Sequence, residues 1–247
     1  MTQVRQSLIK HGLVSVCLLA VLIGAEARAQ SVFSKIAGFL PNIPAEMQLI
    51  NAVKRDDAVA TQAFLDAGLS PTLAEPLAPH YTLLHLAAWE NAEKVATVLL
   101  KHPKILVEAS SQLGETPLMI AALKGHLGIA RQLIVAGAYP NKTGWTPLHY
   151  AATMGHIEMM RLLLEAHAYI DAESPNKTTP LMMAARSKNI LAVKLLLDEG
   201  ADVQLKNEQG LTAIDFADRS EAKDIADGLR ERAKKLAERQ AKPAWLR

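Results

Sequence analysis

The stretch Gly144–His156, GWTPLHYAATMGH, decides how the rest of the chain is read. It holds two histidines, a tryptophan and a tyrosine within thirteen residues, which suits either a ligand site or a scaffold. Its local grammar is helical. Thr146 can cap a helix by accepting a backbone N–H through its hydroxyl. Pro147 follows at the first helical position, where the absent N–H has no partner to lose. Leu148, Ala151 and Ala152 then make a short helix whose small residues allow close approach, and Gly155 ends it. Beyond it, Ile157, Met160, Leu163 and Leu164 recur at helical spacing and predict a second helix with one buried face.

The same grammar returns along the chain. YTLLHLAAWENAEKVATVLL from Tyr81, ETPLMIAALKGHLGIARQLI from Glu115, WTPLHYAATMGHIEMMRLLL from Trp145, TTPLMMAARSKNILAVKLLL from Thr178 and LTAIDFADRSEAKDIADGLR from Leu211 align without a gap. LINAVKRDDAVATQAFLDAG from Leu49 fits in phase. The anchors Leu49, Leu84, Leu118, Leu148, Leu181 and Ile214 recur at a nearly constant step, shortest between Leu118 and Leu148. At one fixed offset after each anchor stands another apolar residue: Phe64, Leu99, Leu133, Leu163, Leu196 and Leu229. A repeat of this period leaves one apolar face per unit, which stacking on the next unit covers. Gly137-Ala138 and Gly200-Ala201 mark where a second helix stops.

The chain resembles the ankyrin-repeat family. The pattern T-P-L-H-x-A-A…G-H…L-L is complete at Thr146–Leu164, and the resemblance covers about residues 45–240. It implies an all-α solenoid of about six helix-turn-helix repeats joined by short finger loops. The departures are those of end units. The first copy lacks Thr-Pro and has Asp56-Asp57 where Gly-His stands elsewhere, as an N-terminal cap. In the last, Arg230 replaces the second leucine and the helix runs on through GLRERAKKLAERQ, as a C-terminal cap. The short step from Leu118 to Leu148 implies a trimmed finger, GAYPNKTGW; His80 and Lys177 stand where the family has Gly.

The resemblance also implies roles for the histidines. The first one bonds the capping threonine and the neighbouring unit's backbone, and the second helps close the turn between helices. His85, His126, His149 and His156 are therefore expected to be structural, and His80, His102 and His167 to be exposed loop or helix-end residues. Met119, Met182 and Asp215 take the place of His149 in other copies. A zinc site gathers three or four N, S or O ligands; the spacing of these histidines predicts no metal site.

Partner contacts in the family use the finger tips and the concave face of the first helices. Carried over residue by residue, the helix positions are Trp89, Glu90, Leu123, Lys124, Thr153, Met154, Arg186 and Ser187. The finger positions are Gln112, Leu113, Glu115, Lys142, Trp145, Lys177, Thr178, Gln209 and Leu211. Trp145 has two readings, an interface anchor or packing on its own finger or the next repeat.

Export is expected from the N-terminus. Arg5, Lys10 and His11 precede the uncharged run LVSVCLLAVLI, Leu13–Ile23, and Ala27 and Ala29 are placed for cleavage before Gln30: a signal peptide at 1–29, followed by a linker at 30–44. The apolar run is shorter than the roughly 20 residues a membrane span requires. Cys17, the single cysteine, lies inside it, so the mature chain is expected to need no disulfide. In SVFSKIAGFLPN, Ser31–Asn42, Phe33, Ile36 and Leu40 have near-helical spacing, read as lying on the N-terminal cap or as a peripheral membrane contact. Trp245 in the 241–247 tail either docks back or stays free.

Charge is balanced: 27 basic and 25 acidic residues in 247. Acidic residues outnumber basic ones by 19 to 15 from position 30 to 218, and basic ones outnumber acidic by nine to five from there to the end. No basic patch with interleaved aromatics argues for nucleic acid. There is no Gly-rich phosphate loop, serine nucleophile elbow or repeated facing carboxylate pair. The expectation is a non-catalytic, monomeric protein-binding module without cofactor, metal or stable membrane anchor, in the periplasm or alternatively the extracellular space. Two other readings stand: an accessory or protective factor for a periplasmic enzyme, and soft-metal handling through the six methionines from Met119 to Met183.

Overall fold

The computed structural model describes residues 43–76 and 80–241. The signal peptide, the Ser31–Asn42 segment and Trp245 lie outside them. Among the described residues, twelve helices form six pairs: α1 (Ala45–Lys54) with α2 (Ala58–Asp66), α3 (Leu83–Glu90) with α4 (Glu93–Lys101), α5 (Pro117–Lys124) with α6 (Leu127–Val135), α7 (Pro147–Met154) with α8 (Ile157–Glu165), α9 (Pro180–Arg186) with α10 (Ile190–Asp198), and α11 (Ala213–Arg219) with α12 (Lys223–Ala241). None of them is long and apolar enough to cross a membrane. The described residues form no strand, only an isolated bridge between Ala74 and Thr82.

All but α12 are ten residues or shorter, below the roughly 12–15 that stand alone in water. Tertiary packing must therefore hold them. The first helices of successive pairs pack on one another in series, as do the second helices from α2 to α10. The alanine pairs Ala87-Ala88, Ala121-Ala122, Ala151-Ala152 and Ala184-Ala185 are wholly buried in that inner row. The anchors Leu49, Leu84, Leu118, Leu148 and Leu181 are buried, and so are Leu99, Leu133, Leu163, Leu196 and Leu229. Ile214 and Phe64, in the end units, are only partly buried against the same core.

Backbone reversals recur with the repeat. Two positions before each capping threonine, φ is positive at His80, Gly114, Gly144, Lys177 and Gly210. His80 and Lys177 thus adopt the glycine conformation without being glycine, and the finger keeps its shape. The first helix likewise ends in a left-handed residue at Asp56, Asn91, Gly125, Gly155, Lys188 and Glu221.

Three fingers close through paired bonds between positions four apart. Ser111 N–H donates to Glu115 O, Ser174 N–H to Thr178 O and Asn207 N–H to Leu211 O. The side-chain oxygens of Ser111, Ser174 and Asn207 accept in return from the N–H of the same partner. The shortened finger is held differently: Lys142 Nζ reaches back to donate to Ser110 Oγ (2.7 Å) and Gly114 O (2.9 Å) of the preceding finger.

Candidate interaction face

The two histidine positions are wired into the stack. His149 is fully buried. Its Nδ1 accepts the Thr146 N–H at 3.1 Å and lies 2.9 Å from Thr146 Oγ1. Nε2 therefore carries the proton and donates to Thr178 O, in the next finger, at 2.8 Å. Burial outweighs that backbone bond and pushes the imidazole pKa down to about 4. His85 makes the same set, with Nε2 3.0 Å from Glu115 O, and its pKa is lowered by burial too. At Met119 and Met182 the thioether sulfur accepts the threonine N–H. Asp215 accepts from both the N–H and the hydroxyl of Thr212, which holds its carboxyl below the usual range. It occupies the last described repeat, where its carboxylate serves as an acceptor only. Thr116 and Thr179 cap through their hydroxyls as expected, whereas the Thr146 hydroxyl turns to the imidazole.

The second histidine position closes its own turn through its backbone, His126 N–H donating to Ala121 O and His156 N–H to Ala151 O (3.0 Å each), and its side chain does something more. His126 Nδ1 is bonded to Ala88 O (2.8 Å) and His156 Nε2 to Leu123 O (3.1 Å), each in the repeat before. Asn189 donates to Thr153 O (2.6 Å) in the same register, and Ser220, two positions before that column, donates to Ala185 O (3.3 Å). These side chains satisfy carbonyls at the end of the preceding first helix and tie one repeat to the next. His102 is half-buried, with Nδ1 accepting the Lys104 N–H, while His80 and His167 are exposed.

Five of the six methionines between Met119 and Met183 are buried in the core; Met154 is half exposed. Among the described residues no three or more His, Cys, Asp or Glu side chains group to hold a metal ion.

The residues expected to meet a partner separate into two classes. Trp89, Glu90, Gln112, Leu113, Lys124, Trp145, Met154, Lys177, Arg186 and Gln209 are exposed. Thr178 is buried, and reading it as a surface finger residue is corrected: it sits beneath the finger because its backbone closes the turn with Ser174 and accepts from His149. Glu115 is turned inward in part, accepting from the phenols of Tyr81 (2.9 Å) and Tyr150 (3.5 Å). Burial first, and the carboxylate second, push the Tyr150 pKa up to about 12 and raise that of Tyr81 as well. Thr153 donates back to His149 O, and the Lys142 amine is engaged by neighbouring finger oxygens. Leu123, Ser187 and Leu211 are half-buried.

Trp145 is part packed and part exposed. Its ring meets His149 edge-on at 5.2 Å, and 37% of the residue remains exposed. Trp89 is 36% exposed, tilted against Tyr81 at 6.1 Å, with Lys124 Nζ 4.0 Å over its ring. Tyr81 in turn stacks on His85 at 5.4 Å. Tyr81 and Tyr150 escaped the sequence reading. The alignment held a signal for Tyr81, which stands in the column of Trp145.

Comparison with known proteins accords with this geometry. Residues 84–174 and 167–239 match the family described as ankyrin repeats (3 copies). The chain belongs to the ankyrin-repeat family. A protein of Treponema pallidum (strain Nichols) named as ankyrin repeat-containing is 32% identical over 154 residues, 62% of this chain and 41% of its own length. A Danio rerio protein, ZDHHC13, whose name describes a palmitoyltransferase, is 24% identical over 215 residues, 72% of this chain and 33% of its own length. The chain thus spans well under half of either relative. Ankyrin repeats are protein–protein interaction modules, and this chain is built from them.

Proposed function

We propose that the protein is a non-catalytic binding module that works in the periplasm after removal of Met1–Ala29, capturing a protein partner on the inner face and fingers of its middle repeats. What carries this reading is the exposed strip of Trp89, Met154 and Trp145 on the first helices and fingers. These positions are the ones through which the family meets its partners, and partly exposed aromatics there are suited to an interface core. Export rests on the three-part pattern of Met1–Ala29 and on the small residues before Gln30. A module that shields a periplasmic enzyme is a special case of the same binding.

The test pairs folding with capture. Trp145→Ala is expected to keep its melting curve and to weaken the partner isotherm by at least ~2 kcal/mol. A sharp fall in melting temperature with unchanged binding by the folded fraction would assign Trp145 to packing and move the interface elsewhere. Intact-mass analysis decides export: the expected N-terminus is Gln30, and a mass that still includes Met1–Ala29 would sink the periplasmic reading.

A further inference from the structure

The second helices pack in series as far as α10, but α12 packs less closely on it. One column of the repeat accounts for the gap. Val98 of α4, Gln132 of α6, Leu162 of α8 and Leu195 of α10 stand at the same place in their repeats, and α12 has Gly228 there. Gln132 shows what this column does: it accepts from the Thr97 hydroxyl at 3.1 Å and donates to Glu93 O at 3.3 Å, both in α4. Leu162 and Leu195 are buried. Gly228 has no side chain to reach α10 with, and a Cβ there would have no atom within 4 Å. A cleft of about 320 Å³ lies between the two helices. Its floor is apolar, from Ile190, Val193 and Leu197 on α10 and Ile225, Gly228 and Leu229 on α12; its rim carries three acids and three bases. Charge therefore does not select what fills it. Gly228 is not among the positive-φ glycines, so its backbone does not call for glycine either. A glycine inside a helix weakens that helix, and no described neighbour accounts for this one.

We propose that the occupant of the cleft is the tail of this same chain, with Trp245 and Leu246 laid back along α12 over Gly228. α12 ends at Ala241. Lys242-Pro243 follows, a pair that disfavours further helix and suits a reversal. Trp245 is four residues past Ala241 and Leu246 five. An extended chain covers at most roughly 3.6 Å per residue, so the two reach at most about 14 and about 18 Å. α12 rises roughly 1.5 Å per residue, which sets about 14 Å level with Arg232 and about 18 Å level with Leu229. The level of Arg232 is also that of Leu197, whose carbonyl accepts from the Arg232 guanidinium at 3.1 Å. The indole then covers Leu197 and the turn from Arg232 back to Gly228. A second copy or another protein with a similar apolar pair meets the cleft only by diffusion, whereas the tail is tethered beside it and binds as an intramolecular ligand. The cleft belongs to the second-helix row, so this proposal stands apart from partner capture on the first helices and fingers.

The test reads Trp245 alone, in the full chain with Trp89→Phe and Trp145→Phe, against the free peptide Lys-Pro-Ala-Trp-Leu-Arg. Its emission is expected to be blue-shifted from that of the peptide and shielded from acrylamide, and neither property should change on dilution. Gly228→Leu fills the cleft and is expected to return both to the peptide's values while circular dichroism shows the chain still folded. Leu197→Gln removes the α10 side of the seat and should act the same way even if the Gly228 variant fails to fold. The proposal is overturned if Trp245 already emits and quenches as the free peptide does, or if a folded variant leaves it shielded. It is equally overturned if the shielding fades on dilution, which would put the tail in the cleft of a second copy.

Discussion

At the scale of single residues, His149 shows how a side chain that looks catalytic serves architecture. Both ring nitrogens are committed, one as acceptor inside its repeat and one as donor to the next. A buried imidazole held neutral makes stability depend on pH in a definite direction. Its folded pKa of about 4 lies below the unfolded value of roughly 6.5, so between those values the unfolded chain binds more protons. Stability from this group is complete above about pH 6.5 and is lost as pH falls toward 4, with roughly 2 kcal/mol gone by pH 5. Denaturant midpoints at pH 7 and pH 5 measure it. His149→Met, which copies what Met119 and Met182 do in neighbouring repeats, is expected to fold, to lose about 1 kcal/mol at pH 7 for the missing bond to Thr178, and to flatten the acid dependence. Gly155 is constrained by its surroundings as well as by its backbone. It sits at φ +73°, and a Cβ there would come 2.9 Å from the Asn189 side chain. Gly155→Ala strains the left-handed backbone and pushes Asn189 off Thr153 O, so a loss of about 2 kcal/mol is expected; a melting curve superimposable on that of the wild type would contradict this.

At the scale of elements, each helix before α12 is too short to persist alone, and the C-terminal ends of α3, α5, α7 and α9 are completed by the following repeat. Thr-Pro starts the first helix, and the next repeat's His, Asn or Ser finishes it. Stability of this kind is the sum of unit and neighbour terms, which makes the ends the weak points. In α12, Leu229 and Ala226 are buried while most of the remaining turns face water. Leu229→Ala should cost about 2–5 kcal/mol for the cavity. Hydrogen exchange should show the loss concentrated in α11 and α12, with α5 to α8 retaining most of their protection. Uniform loss of protection across all pairs would argue for a single cooperative core instead.

At the scale of the whole molecule, one row of first helices is both core and open surface. Its buried side is alanine and leucine; its exposed side carries Trp89, Lys124, Met154 and Arg186. The methionines make that division measurable. Met119, Met159, Met160, Met182 and Met183 are at most 7% exposed, against 50% for Met154. Dilute hydrogen peroxide is expected to form sulfoxide at Met154 first, with circular dichroism unchanged, and peptide mapping should find the five buried sites intact until the fold is melted. Early oxidation at Met159 or Met160 would show that the second-helix row opens in the native state.

Repeat number, helix pairing, capping threonines, the buried leucine columns and the end units all followed from the sequence. Each depends on residues close together in the chain, and a period that returns six times makes local physics legible. The short step from Leu118 to Leu148 marked the trimmed finger, but not that Lys142 would brace it. The structural part of the histidines was foreseen; the direction of the second bond, back to the preceding repeat, was not. Only tertiary structure decided which members of the finger columns face water. Trp145, Glu115 and Thr178 occupy one column, yet one is exposed, one is turned onto two tyrosines and one is buried. A column states how far a residue lies from its own helix. What covers it is set by the side chains of the repeats on either side, and those lie a full repeat away in the chain.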